Sequence, residues 1–174
     1  MVPKIKRILF ATDLSENARY AFNYAADMAA RHSAGIVILH VLEDIPFNAE
    51  SALVNMLGEK EYEELKKQHE NEVANGLIAK KSENKLIRMA LGNLSRQTED
   101  KSQPDADDNI KIIVRSGNVV EEIIVESEEN DCGMIVMAYH SRNMLAETIV
   151  GGVCRKVLKR TQKPVLLVPM PDKS

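Results

Sequence analysis

The chain has 174 residues, 44% of them hydrophobic and 28% charged, with a formal net charge of −3 and an isoelectric point of about 5.9. That length and balance suit one domain, residues 1–174, with a sizeable core and an ordinary charged surface. The slight acidity leaves no electrostatic footprint for nucleic acid and no polybasic membrane patch, and no apolar run approaches a membrane span.

At the amino end, MVPKIKRILFATD holds only the short apolar run Ile8, Leu9, Phe10 and Ala11 before Thr12 and Asp13. A signal peptide needs a longer one, so none is expected. Cys132 and Cys154 are too few for a disulfide framework and lack the paired spacing of a zinc site. They are expected as small core residues in a reducing, cytoplasmic setting.

Residues 4–11, KIKRILFA, read as a strand, and Thr12-Asp13-Leu14-Ser15 as the turn after it. Ser15 suits an N-cap for a helix over 16–31, with Ala18, Ala21, Phe22, Ala25 and Ala29 forming one apolar stripe. An alanine stripe lets the helix lie close to a sheet. Ser33-Ala34-Gly35 ends that helix, with Gly35 as the permissive residue. Residues 36–42, IVILHVL, form a continuous β-branched run, as expected of a strand buried on both faces. Strand, helix and strand make a right-handed βαβ unit.

The middle, 43–109, is a variable region. A loop with Pro46 is followed by a stripe of Tyr62, Leu65, His69, Val73 and Leu77, and then by Leu86, Ile87, Ala90, Leu91 and Leu94. One long bent helix or two fits this pattern. Residues 97–109 are acidic and contain proline, and read as a loop. Residues 110–114 form the next strand. A helix bearing Val120, Ile123, Ile124 and Ser127 follows, ended by 130–133. Residues 134–137 form a fourth strand. A last helix carries Val153, Val157 and Leu158, Lys163-Pro164 stops it, and Val165, Leu166, Leu167 and Val168 form a final strand. The order predicts an α/β fold: an open, mostly parallel five-stranded sheet with helices on both faces, Rossmann-like in kind.

Ligands of open parallel sheets sit beyond the strands' carboxyl ends, where strand order reverses. Three groups fall at such ends: Asp13, the Leu39-His40-Val41 segment, and the loop from Met137 to Gly152. Asp13 would accept hydrogen bonds from an adenine amino group or a ribose hydroxyl, or else brace its own turn. Gly151 and Gly152 would let backbone N–H groups approach a phosphate at a helix start, or else serve a tight turn. His140 and Arg142 lie in the loop and would contact phosphate, or solvent. His40 sits in an apolar run and reads as a core or strand-end histidine. No nucleophile-and-base motif is present, so no catalytic residue is named.

These residues together resemble the universal stress protein family over nearly the whole chain. The resemblance rests on KRILFATDLSENARYAFNYAADMA, IVILHVLE, SGNVVEEIIVESEENDCGMIVMAYHS and GGVCRKVLKRTQKPVLLVP. Nucleotide-binding members carry Gly, two residues, Gly, nine residues, Gly, then Ser or Thr. Here those positions are Ala138, Ser141, Gly151 and Gly152, and only Gly151 matches. Ala138 adds a methyl and would oppose a positive φ, and Gly152 removes a hydroxyl.

The resemblance implies a cytoplasmic, dimeric stress-response protein that binds ATP or another adenine nucleotide weakly, with Mg²⁺ accompanying the phosphates. The ligand would rest on Asp13, Val41, Ala138, His140, Ser141, Arg142, Gly151, Gly152 and Val153. The implied dimer pairs the last strands, Val165 to Val168, across a two-fold axis. At most a slow ATPase activity is expected. The alternative within the same fold is a regulatory module that binds unknown protein partners and no nucleotide. A weaker option is the related nucleotide-binding domain of electron-transfer flavoproteins, which normally come with further domains.

Overall fold

A computed structural model describes residues 4–43, 48–73, 79–98, 109–139 and 151–169. The elements run β1 (Arg7–Thr12), α1 (Ala18–His32), β2 (Gly35–Leu42), α2 (Ala49–Leu57), α3 (Glu59–Val73), α4 (Ala79–Thr98), β3 (Ile110–Ser116), α5 (Val119–Glu129), β4 (Met134–Tyr139), α6 (Gly152–Arg160) and β5 (Val165–Pro169).

The five strands form one sheet in the order β3-β2-β1-β4-β5, and all four pairings are parallel. The chain therefore builds outward from β1 to β2 and β3, then crosses back to add β4 and β5 on the other side. The reversal falls between β1 and β4, whose register aligns Ala11 with Met137. Side-chain alternation divides the core into two layers. Ile8, Phe10, Ile36, Ile38 and Val136 meet α1 and the middle helices on one face. Leu9, Val37, Leu39, Ile135 and Met137 meet α5 and α6 on the other.

The alanine stripe of α1 is buried as expected, and Phe22 packs edge-on against Phe10 with ring centroids 5.3 Å apart. Ser15 does not cap this helix. Leu14 takes a left-handed conformation at φ 59, Asp13 Oδ1 accepts from Ser15 N at 2.9 Å, and Thr12 Oγ1 accepts from Leu14 N at 3.1 Å. The turn uses up the capping position, and α1 begins three residues later, at Ala18, with no side-chain cap on Asn17.

Gly35 does not supply the permissive turn either. Ser33 does, at φ 50, and Gly35 opens β2. A Cβ on Gly35 would stand 2.9 Å from the Asn109 carbonyl oxygen, so the glycine allows a close approach between neighbouring strands.

The middle region holds three helices, where the sequence pattern predicts one long bent helix or two. Asn48 caps α2, its side chain accepting from Ser51 N at 3.0 Å, and Leu53, Met56 and Leu57 are buried. Tyr62 and Leu65 of α3, with Ile87, Ala90, Leu91 and Leu94 of α4, join the same core layer as α1. Arg19 of α1 pairs with Glu61 of α3 at 2.6 Å. Gln97 and Thr98, read as loop, close α4; the rest of that loop to 108 lies outside the described residues. No helix among the described residues is long and apolar enough to cross a membrane.

Candidate functional site

A cavity of about 460 Å³ opens at the carboxyl ends of the strands, within the usual size of a small-molecule site. Its lining comes from the ends of three strands and from three helices. The end of β1 supplies Phe10, Ala11, Thr12 and Asp13, and the end of β2 supplies Leu39, His40, Val41 and Glu43. Met137, Ala138 and Tyr139 come from β4, and Gly151, Gly152, Val153 and Cys154 from the start of α6. Val119 and Ile123 of α5 close one side. This is where strand order reverses and where open α/β sheets leave a crevice.

Six of the nine site residues expected from sequence, Asp13, Val41, Ala138, Gly151, Gly152 and Val153, converge on this one cavity. His140, Ser141 and Arg142 lie outside the described residues.

Ala138 sits within β4, opposite Val168 of β5. Only Leu14, Ser33 and Asp131 take positive φ among the described non-glycine residues. Alanine is therefore unstrained there, and the feared conflict with a positive φ does not arise.

Gly151 is the N-cap position of α6, at φ −55 and ψ 158, and Gly152 begins the helix. Neither needs left-handed backbone. A Cβ built on either would meet nothing within 4 Å among the described residues. Both stand at a helix start, where backbone N–H groups and the helix dipole favour an anion. Cys154 ties this end of α6 to β4, its thiol donating to the Ala138 carbonyl at 3.7 Å.

The electrostatics are mixed. Asp13 is exposed and braces its turn through Oδ1, the bland role foreseen for it, while also lining the cavity. His40 is buried and lines the cavity too. Its Nδ1 lies 2.9 Å from the Thr12 carbonyl. A carbonyl only accepts, so Nδ1 carries the proton in this contact. Burial lowers the pKa of His40, opposed by the Thr12 contact and the Asp13 charge. Burial raises the pKa of the Cys154 thiol, and the Asp13 carboxylate adds to that.

Sequence reading put Leu39-His40-Val41 at this edge, with His40 as a core or strand-end residue, but named neither His40 nor Glu43 as a lining side chain. Both follow from simple geometry: β2 pairs Thr12 with His40, so the residues that end β2 flank those that end β1. No group of three or more His, Cys, Asp or Glu side chains gathers as a metal would require among the described residues.

Fold and cavity together define a doubly wound α/β domain with a ligand-sized crevice at its switch point. The sequence profile of the universal stress protein family matches residues 4–169, and the chain belongs to that family. Universal stress protein MJ0577 of Methanocaldococcus jannaschii is 28% identical over 163 residues, covering 94% of each chain. Its solved structure superposes with a TM-score of 0.60 at 26% identity, over 98% of this chain and 100% of that one. The Archaeoglobus fulgidus universal stress protein solved in complex with dAMP gives a TM-score of 0.56 at 14% identity, over 95% and 98% of the two chains. One solved in complex with cAMP gives 0.57 at 16%, again over 95% and 98%.

Proposed function

We propose that this chain is a regulatory stress protein of one domain that binds an adenine nucleotide or nucleoside in the cavity between β1, β2, β4 and α6. The observation that carries the reading is convergence. Asp13, Val41, Ala138, Gly151, Gly152 and Val153 come from parts of the chain far apart in sequence, and all line one cavity. Asp13 receives the base or ribose, Val41 and its apolar neighbours flank the base, and the backbone at Gly151–Val153 receives phosphate. His140, Ser141 and Arg142 of the intervening loop complete the phosphate end, and Mg²⁺ accompanies a polyphosphate. The two neighbours that hold dAMP and cAMP are consistent with a fold able to accept an adenine ligand.

The test is calorimetric titration with adenosine and with ATP plus Mg²⁺, repeated on Asp13→Ala. Losing a hydrogen bond to a charged group costs on the order of 1.5–3 kcal/mol, so the variant should bind adenosine about tenfold to hundredfold more weakly. Absence of heat and saturation up to millimolar ligand would favour the nucleotide-free interaction module instead.

The same reading includes a homodimer. Among the described residues β5 pairs only with β4, and Val165, Leu166 and Leu167 remain partly exposed. An open apolar edge strand invites pairing, and a two-fold axis closes it with a second copy. Light scattering after size exclusion should give twice the 19.4 kDa chain mass. A monomer throughout the micromolar range would refute the dimer.

A further inference from the structure

We infer that the outer face of α6 is a docking surface for an acidic segment of a partner protein. The inference stands apart from the adenine reading, since none of the residues that carry it lines the cavity. Helix α6 holds Arg155, Lys156, Lys159 and Arg160 and no acid within nine residues. The chain's net charge of −3 averages over this concentration of cations. All four are exposed. Arg155, Lys156 and Lys159 make no ion pair among the described residues. Arg160 meets Glu121 at 3.9 Å, and both of those side chains are more than half exposed.

Helix geometry gathers these charges. Cys154 and Val157 are the buried residues of α6. At 3.6 residues per turn the four cations fall within about 140° of arc, on the side facing away from those two. They span about 7.5 Å along the helix axis. A carboxylate-rich chain laid along this face would meet cations on successive turns, and each arginine adds a fork that fits a carboxylate. Leu158, 45% exposed, borders the face and offers an apolar contact beside the charges.

The neighbouring helix narrows the choice of partner. Helix α5 packs over the same sheet face as α6 and presents Glu121, Glu128 and Glu129 to solvent. Glu121 marks the border, 3.9 Å from Arg160. A flat anionic membrane pressed on α6 would press on these carboxylates too, and like charges repel. A nucleic-acid duplex, wider than one helix, meets the same obstacle. Single-stranded nucleic acid draws much of its affinity from stacking on aromatic rings, and α6 has none. An extended acidic peptide is narrow enough to follow α6 alone.

The experiment is fluorescence anisotropy of a labelled peptide, Glu-Glu-Leu-Glu-Glu-Leu-Glu-Glu, titrated with the full chain at low salt. Lys156→Gln with Lys159→Gln removes two of the four cations of α6. Lys60→Gln with Lys67→Gln removes the same charge from α3. All these lysines are exposed, so both variants should keep the wild-type Tm. A duplex oligonucleotide and vesicles of phosphatidylserine and phosphatidylcholine are measured in the same buffer. The expected result is saturable peptide binding at micromolar protein, weakened by added salt. The α6 variant should bind about two- to thirtyfold more weakly, the range for two exposed ion pairs, and the α3 variant should bind as wild type does. Duplex and vesicles should bind at least about tenfold more weakly than the peptide, because α5 repels them. A peptide that does not bind at hundreds of micromolar protein would overturn the docking surface. Equal weakening by the two variants would overturn its place on α6. Duplex or vesicles binding as tightly as the peptide would overturn the choice of an acidic protein segment.

Discussion

Replacing Gly152 with serine restores the hydroxyl that nucleotide-binding members of the family carry at this position. The structure makes the change clean. Gly152 is the first residue of α6, it is not among the positive-φ residues, and an added Cβ meets nothing within 4 Å among the described residues. The fold should gain slightly, because serine is about 0.5 kcal/mol better than glycine in a helix. For a chain of this size that raises Tm by about 1–2 °C.

The hydroxyl should add a hydrogen bond to a phosphate oxygen worth about 1.5–3 kcal/mol. Fixing its rotamer takes back roughly 0.5 kcal/mol. The net of about 1–2.5 kcal/mol predicts AMP binding about five- to seventyfold tighter. Adenosine has no phosphate and should bind as before. The assay is calorimetry with both ligands on wild type and Gly152→Ser, with Tm measured alongside. An unchanged AMP affinity in a variant that folds and still binds adenosine would refute the placement of phosphate at α6.

His40 makes stability depend on pH. Burial lowers its pKa in the fold, so below an unfolded value of about 6.5 the unfolded chain binds the proton more readily. Urea denaturation should show this contribution intact above that pH and lost progressively as pH falls toward the folded value, with His40→Gln removing the component. Glu126, whose side chain is 1% exposed, bonds Arg115 and also accepts from Asn130 Nδ2 at 2.9 Å. Arg115 can turn to water, so Glu126→Ala should cost about 1–3 kcal/mol by urea denaturation, and no loss would contradict the buried pairing. Burial pushes the Cys132 thiol up to about 11 and raises Cys154 as well. Neither should react with an aromatic disulfide reagent in native protein at pH 8, and both should react in denaturant. Fast labelling of native protein would contradict their burial.

The alternation of elements was legible because each carries its own period. The β-branched run 36–42 reads as a strand buried on both faces, and β2 pairs on both sides, with β1 and β3. The alanine stripe reads as a helix lying close on the sheet, and Ala18, Ala21, Ala25 and Ala29 are all buried. Boundaries failed where a short polar side chain had two uses. Ser15 looks like a cap, but it stands in the turn that Asp13 braces, and the helix starts later. Helix α2 had its signals, Asn48 followed by Leu53, Met56 and Leu57, yet the sequence reading names no element between the Pro46 loop and the Tyr62 stripe.

At the site, residues directly after strand ends were legible, since chain order alone places them on the carboxyl edge. Glu43 was not, because its relevance depends on β2 lying beside β1 in the sheet. The tolerance of Ala138 was not legible either, because it depends on a backbone angle. Within β4 that angle is extended, and the methyl carries no conformational strain.

The central claim is that one adenine ligand sits at the carboxyl edge, between Asp13, Val41 and the start of α6. The most direct test is a titration of isotopically labelled protein with adenosine, followed by amide chemical shifts. The account predicts saturable shifts concentrated at Thr12, Asp13, Leu14, Val41 and Gly151 through Cys154. It would be contradicted by shifts confined to the opposite edge, around Lys6, Ser33, Asn109 and Lys111, or by a spectrum that adenosine leaves unchanged at millimolar concentration.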